Sequence, residues 1–145
     1  MTAKPRKKAS ALPPAALKAA FEPVLKAANG LPEVEEGTSY GTPALYVGGK
    51  FFARIWEDGE TLVIRADFDS RDAMLRVKPN LFYITDHYLG YPAMLIRLGV
   101  ITERQLATAL SDSWEFVAPK RLVRARGEAA ALKSRASARP AKRPR

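Results

Sequence analysis

Three groups of residues in this sequence carry side chains that could do chemistry. The first is Asp86-His87-Tyr88, which holds the only histidine of the chain. Histidine titrates near neutral pH and a carboxylate can orient it, so this triplet is where an acid–base group would sit. Sequence neighbours rarely converge on one centre, however, and no elbow motif supplies a serine nucleophile. The triplet begins a connection that closes with Gly90-Tyr91-Pro92. Gly90 is free to take positive φ, and Pro92 fixes its own φ and biases Tyr91 toward extended backbone. Asp86, His87, Gly90, Tyr91 and Pro92 are therefore expected to form a structural loop of one defined shape, with no catalytic residue.

The second group lies on two strands. KFFARIW (50–56) and TLVIRA (61–66) flank Asp58-Gly59, a dipeptide suited to a tight type I′ turn. That turn sets Trp56 opposite Thr61, Ile55 opposite Leu62, Arg54 opposite Val63, Ala53 opposite Ile64 and Phe52 opposite Arg65. Because side chains alternate, Phe51, Ala53, Ile55, Leu62 and Ile64 should face the core. Phe52, Arg54, Trp56, Val63 and Arg65 should face outward. Arginines beside flat rings are the chemistry of nucleic-acid platforms, while the same rings could anchor a protein partner. The acidic turn Glu57-Asp58-Gly59-Glu60 would meet phosphate badly.

The third group is basic and terminal. The net charge is +9, and its location matters more than its size. Lys4, Arg6, Lys7 and Lys8 give residues 1–12 a charge of +4. Lys133, Arg135, Arg139, Lys142, Arg143 and Arg145, against Glu128, give residues 127–145 a charge of +5. Residues 13–126 hold 14 basic and 14 acidic side chains, so the excess lies wholly in the ends. Lys120, Arg121, Arg124 and Arg126 extend the basic run inward on the outer side of a short terminal helix. Each neutralised phosphate releases a counterion, so such ends supply salt-sensitive, sequence-blind affinity.

Other chemistries find little support. The chain has no cysteine, which excludes disulfides, thiolate catalysis and cysteine-ligated metals. Glu33, Glu35 and Glu36 read as a solvated acidic loop, and no metal is expected. TSYGTPALYVGGK is glycine-rich but matches neither GxxxxGK[ST] nor GxGxxG, so its glycines belong to turns and no nucleotide or other cofactor is expected. No apolar run approaches the ~20 residues of a bilayer span. The prolines of ALPPAALKAAF break any secretory signal, so the expected location is cytoplasmic.

The elements that must position these groups follow from periodicity. Leu17, Phe21, Val24, Leu25 and Ala28 make a helical stripe opening near Pro13-Pro14, with a kink or break expected at Pro23. Strands are expected at 38–41, 44–47, 50–56 and 61–66, with turns at Thr42-Pro43, Gly48-Gly49 and Asp58-Gly59. A second helix should be capped by Asp69 or Ser70 and stop before Pro79. Leu81 to Ile84 and Ala93 to Leu98 read as strands, the latter with Met94, Ile96 and Leu98 on one face and Ala93, Leu95 and Arg97 on the other. Thr102-Glu103-Arg104-Gln105 is a capping box, followed by a stripe of Leu106, Leu110, Trp114 and Val117. The organisation expected is a disordered basic tail over 1–12, a single domain over 13–126 and a disordered basic tail over 127–145. The fold class expected is α+β, an antiparallel sheet with helices packed on one face.

Over about residues 17–126 the chain resembles the MmcQ/YjbR family of small bacterial proteins. The resemblance rests on GLPEVEEGTSYGTPALYVGGKFFARIWEDGETLVIRAD, FYITDHYLGYPAMLIRL and SWEFVAPKRLVRA, in the family's order and spacing. It implies a CyaY-like (frataxin-like) fold, also called double wing, and a DNA-binding role. The expected function is thus non-enzymatic, non-specific DNA binding through the basic ends, helped by the outer sheet face. The alternatives are a protein–protein or homodimer adaptor anchored by Phe52 and Trp56, and a small-molecule binder or enzyme at Asp86, His87 and Tyr91. No membrane partner is expected.

Overall fold

Pro14 occupies the first turn of helix α1 (Pro14–Ala27), where its missing N–H costs nothing. The computed structural model describes residues 11–142, with side chains described as far as Lys133. The break expected at Pro23 does not occur; α1 runs through it. Leu17, Phe21 and Val24 are buried on both sides of the proline, and that burial outweighs one lost helical hydrogen bond.

The first hairpin turns two residues earlier than Thr42-Pro43. Strand β1 (Glu35–Ser39) pairs with β2 (Thr42–Val47), and Tyr40 and Gly41 turn the chain at φ 54° and 80°. Pro43 is tolerated because β2 begins pairing with β3 only at Ala44. Gly48 and Gly49, at φ 60° and 80°, make the expected primed turn into β3 (Lys50–Ile55). Strand β4 (Thr61–Arg65) then pairs in the expected register, Ala53 with Ile64, Arg54 with Val63 and Ile55 with Leu62. The turn between them is of another type. Only Gly59 has positive φ, and the Asp58 carboxylate accepts the N–H groups of Glu60 and Thr61 at 2.8 and 3.1 Å.

One irregularity changes which side chains reach which face. In the β2–β3 pair Leu45 opposes Ala53 but Tyr46 opposes Phe51, so Phe52 is an extra residue. This β-bulge reverses the alternation on its N-terminal side. Phe52 therefore lies fully buried in the main core, and Phe51 takes the outer face that the sequence assigned to Phe52. The carbonyl of Phe52 accepts the hydroxyl of buried Ser113 at 2.9 Å.

Helix α2 (Phe68–Val77) is capped by Asp67, ahead of the expected Asp69 or Ser70. Asp67 accepts the Ser70 N–H at 2.8 Å and the Ser70 hydroxyl at 2.9 Å. Strands β5 (Phe82–Tyr83) and β6 (Ala93–Arg97) complete a six-stranded antiparallel sheet of order β1-β2-β3-β4-β6-β5. Helix α3 (Glu103–Val117) opens with the full capping box between Thr102 and Gln105. Its Leu106, Leu110 and Trp114 join α1, Ile55, Leu62, Ile64, Met94 and Ile96 in one core. The α+β class and the helices on one sheet face are as expected.

Helix α4 (Lys120–Lys142) corrects the expected boundary at Gly127, because its helical hydrogen-bonding continues through the glycine. Ala129, Ala130, Ala131, Leu132 and Lys133 are strong helix formers, enough to offset one glycine at ~1 kcal/mol. The expectation for residues 1–10 lies outside the described residues. Leu12, just inside them, donates its N–H to the Glu57 carbonyl at 2.9 Å. Among the described residues no helix is long and apolar enough to cross a membrane.

Ser113→Ala removes a buried hydrogen bond between α3 and the Phe52 carbonyl and should cost about 0.5–1.5 kcal/mol in denaturant unfolding. Asp67→Ala should cost about 1 kcal/mol at neutral pH through loss of the cap. The Ser70 N–H and then the Ser70 hydroxyl hold the Asp67 carboxyl below its ordinary 3.8. The cap's contribution is thus present above that value and lost as pH falls through the lowered one. Wild type and variant should converge in acid, which pH-dependent unfolding will show.

Candidate functional site

The outer sheet face is built in rows across the strands. One row runs Ala44, Arg54, Val63, Leu95, Tyr83 across β2, β3, β4, β6 and β5. Val63, Ala93 and Leu95 are almost fully buried although no helix covers them; Trp56, Tyr83 and Tyr88 do. A second, smaller core therefore lies on the face expected to be open.

Each arginine of this face rests on a ring. Arg54 lies 5.1 Å from the Tyr40 centroid, Arg65 lies 5.5 Å from both Phe51 and Tyr91, and Arg97 lies 4.1 Å from Tyr83. Stacking uses the face of a guanidinium and leaves its edge for acceptors. Their accessibility differs sharply. Arg54 is 8% exposed and donates to the Thr42 hydroxyl at 3.1 Å and the Ile55 carbonyl at 3.4 Å. It is therefore not the projecting phosphate ligand the sequence suggested, because those bonds and the Tyr40 ring hold it inward. Arg65 is half-buried, and its buried Nε has no acceptor among the described residues. Arg97 is exposed, although the sequence reading gave it no role. The parts of the platform open to a ligand are thus Arg65 with Tyr91 at one end of the β4–β6 pair and Arg97 with Tyr83 at the other.

The loop from Thr85 to Pro92 lies beside this face, and its shape has a cause the sequence reading missed. A 3₁₀ turn covers Asp86–Tyr88. From α2, Arg71 reaches over and donates to the carbonyls of Tyr88 at 2.8 Å, Tyr91 at 2.9 Å and Leu89 at 3.3 Å. Arg71 is only 4% exposed, is flanked by Asp72 at 3.1 Å and stacks 5.0 Å from the Phe68 ring. The local signal was present: Arg71 shares a helical stripe with Met74 and Leu75, a position where a charge must be paired. Gly90 does not take the positive φ expected of it, and a Cβ there would meet nothing within 4 Å. The arginine, rather than the glycine, fixes the loop. His87 is exposed and stands edge-on to Tyr88, with centroids 4.8 Å apart.

The remaining basic residues are on α4. Leu122 is buried, Arg126 lies 5.3 Å from the Trp114 ring, and Arg121 stands 3.7 Å from Glu33. Lys120 and Arg124 are exposed, and from Gly127 to Lys133 every side chain is exposed. The backbone of Arg135, Arg139 and Lys142 continues the helix, whereas Lys4, Arg6, Lys7, Lys8, Arg143 and Arg145 lie outside the described residues. Among the described residues no group of histidine and acidic side chains could hold a metal ion.

Arg71→Ala should destabilise the fold by about 2–4 kcal/mol and speed amide exchange between Tyr88 and Tyr91, since three carbonyls lose a charged donor. Arg71→Lys should recover little of this, because an ammonium cannot span the three acceptors as a planar fork does. Gly90→Val should cost under about 1 kcal/mol in the same unfolding measurement.

A family model described as YjbR matches residues 29–116. Curated relatives include Uncharacterized protein Mb2600 of Mycobacterium bovis and Uncharacterized protein Rv2570 of Mycobacterium tuberculosis. Each is 35% identical over 68 residues, covering 46% of this chain and 53% of the relative. The match thus spans about half the length of those relatives. Among solved structures, the Deinococcus radiodurans protein DR2400, whose domain is described as DUF419, aligns with a TM-score of 0.53 at 17% identity. That alignment covers 63% of this chain and 72% of the other, and it shows a shared fold. With the family's matched segment running from the end of α1 to the last turn of α3, the chain belongs to the YjbR family.

Proposed function

We propose that this protein binds nucleic acid through the phosphate backbone, without sequence preference, and that helix α4 is its principal contact. The observation that supports this most is the exposure of α4 beyond Gly127. Over Lys120–Lys142 the helix carries eight Lys and Arg against the single acid Glu128. Its first turns are anchored by Leu122 and Arg126, and every side chain from Gly127 to Lys133 is exposed. An exposed stretch of helix gains little from its own domain. A rod of 23 residues is about 35 Å long, enough to follow about one turn of duplex at ~3.4 Å per base pair.

The outer sheet face takes a secondary part in this reading. Arg65 and Arg97 can present guanidinium edges to phosphate, whereas Arg54 is committed internally. The basic residues of 1–8 would add to the electrostatic attraction. No base-reading element is needed, and the activity is one of binding rather than turnover.

Removal of residues 128–145 takes away six Lys and Arg and should leave the unfolding midpoint within error. The log K versus log salt slope for random duplex DNA should flatten by up to ~0.9 for each phosphate no longer neutralised. Arg65→Glu with Arg97→Glu should weaken the binding that remains. If the shortened chain binds as tightly as the full chain at both low and moderate salt, α4 is not the contact.

A further inference from the structure

The inner face of the sheet carries a cleft that the nucleic-acid reading does not use. It lies between α2 and α3, over β4 and β6, with a volume of about 510 Å³. Ile64, Met94, Phe82 and Ala109 line its floor, and Met74 and Phe116 its apolar walls. Sheet topology fixes the direction of the walls. Helix α2 leaves the Arg65 end of the sheet and arrives beside Phe82, whose N–H donates to the Lys78 carbonyl at 3.1 Å. Helix α3 starts beyond the Arg97 end and returns, reaching the level of Phe52 where Ser113 bonds its carbonyl. The two helices are therefore antiparallel across the cleft.

That geometry separates charge. Lys78, at the end of α2, and Arg104, at the start of α3, lie at one end. Asp112 and Glu115, late in α3, lie at the other, with Thr108 between them. Of the other polar groups of the lining, Arg65 stacks on Phe51 and Tyr91, and the rest are tied within the fold. Asp67 caps α2, Gln105 completes its capping box, and Ser113 holds the Phe52 carbonyl. Lys78, Arg104, Asp112 and Glu115 are in no ion pair among the described residues. Partial desolvation and then the nearby Glu115 charge push the Asp112 carboxyl above its ordinary value, partly offset by Arg126. A cation at that end would offset the repulsion between the two carboxylates.

We propose that this cleft binds a short linear apolar peptide with both termini free, its carboxylate at Lys78 and Arg104 and its ammonium at Asp112 and Glu115. Length decides against a single amino acid. From Arg104 to Asp112 the helix rises about 12 Å, which an extended chain of three or four residues spans at ~3.3–3.6 Å each. The apolar floor accepts aliphatic side chains, and Thr108 sits where a mid-chain amide would pass. The opposed charges fix the direction of the bound chain and discriminate against peptides with capped ends.

Calorimetric titration of the full chain with Ala-Leu-Leu, its N-acetyl form, its C-amide and the doubly blocked form tests this. The free peptide should bind and shift the Met94 methyl resonance. Blocking either end should weaken binding about tenfold or more, through removal of one charged pair. Lys78→Ala with Arg104→Ala, both exposed positions, should erase the difference between free acid and amide while unfolding stays unchanged. Asp112→Ala with Glu115→Ala should erase the difference between free and acetylated peptide. Equal binding of free and doubly blocked peptide, or no heat and no Met94 shift at millimolar peptide, would overturn the proposal. Neither outcome bears on α4, whose nucleic-acid contact is read separately by salt dependence.

Discussion

The tie between Ser113 and the Phe52 carbonyl is the constraint on which both faces of the sheet depend. A bulge leaves backbone groups outside the ladder, and a buried carbonyl without a donor costs free energy comparable to a lost hydrogen bond. The Phe52 carbonyl accepts the Ser113 hydroxyl from α3, which couples the helix to the irregularity. With the bulge in place, Phe52 joins the helix-covered core and Phe51 moves to the other side, under Arg65. Without the bulge, simple alternation would turn Phe52 outward and Phe51 into the core.

The outer face shows how arginine can be structural and still leave chemistry at an edge. Its small core of Val63, Ala93 and Leu95 is roofed by aromatic rings. The guanidinium groups of Arg54, Arg65 and Arg97 lie on rings of the same face. Arg71 does the equivalent for the loop, holding three carbonyls that would otherwise be bare. Much of the positive charge that a sequence count assigns to this domain is therefore spent on its own backbone and rings. Helix α4, by contrast, carries eight Lys and Arg against the single acid Glu128.

Much of this architecture was legible in the sequence because it rests on local rules. Gly48-Gly49 demanded a primed turn, Asp58-Gly59 set the β3–β4 register, and Thr102 with Gln105 wrote a capping box. The alternation of Met94 and Ile96 against Ala93 and Leu95 named the two faces of β6 correctly. What escaped depended on partners far along the chain. Two consecutive phenylalanines fit either face, and the bulge that decides between them is tied to Ser113, 61 residues on. Arg71 serves carbonyls 17 to 20 residues away, so no local window reveals its acceptors. At Tyr40-Gly41 a tyrosine takes the left-handed conformation that proline and glycine punctuation would place elsewhere. At Gly127 helix propensity summed over the following alanines overrides one breaker.

The central claim is that binding resides on a projecting helix rather than on the sheet of the family domain. Hydrogen–deuterium exchange of the full chain, with and without random duplex DNA at low salt, addresses it directly. The exposed turns from Gly127 to Lys133 exchange rapidly when free, because nothing packs on them. The account predicts marked slowing there on DNA, a weaker effect near Arg97, and none at the cleft between α2 and α3. Protection confined to the sheet or the cleft, with Gly127 to Lys133 unchanged, would contradict it.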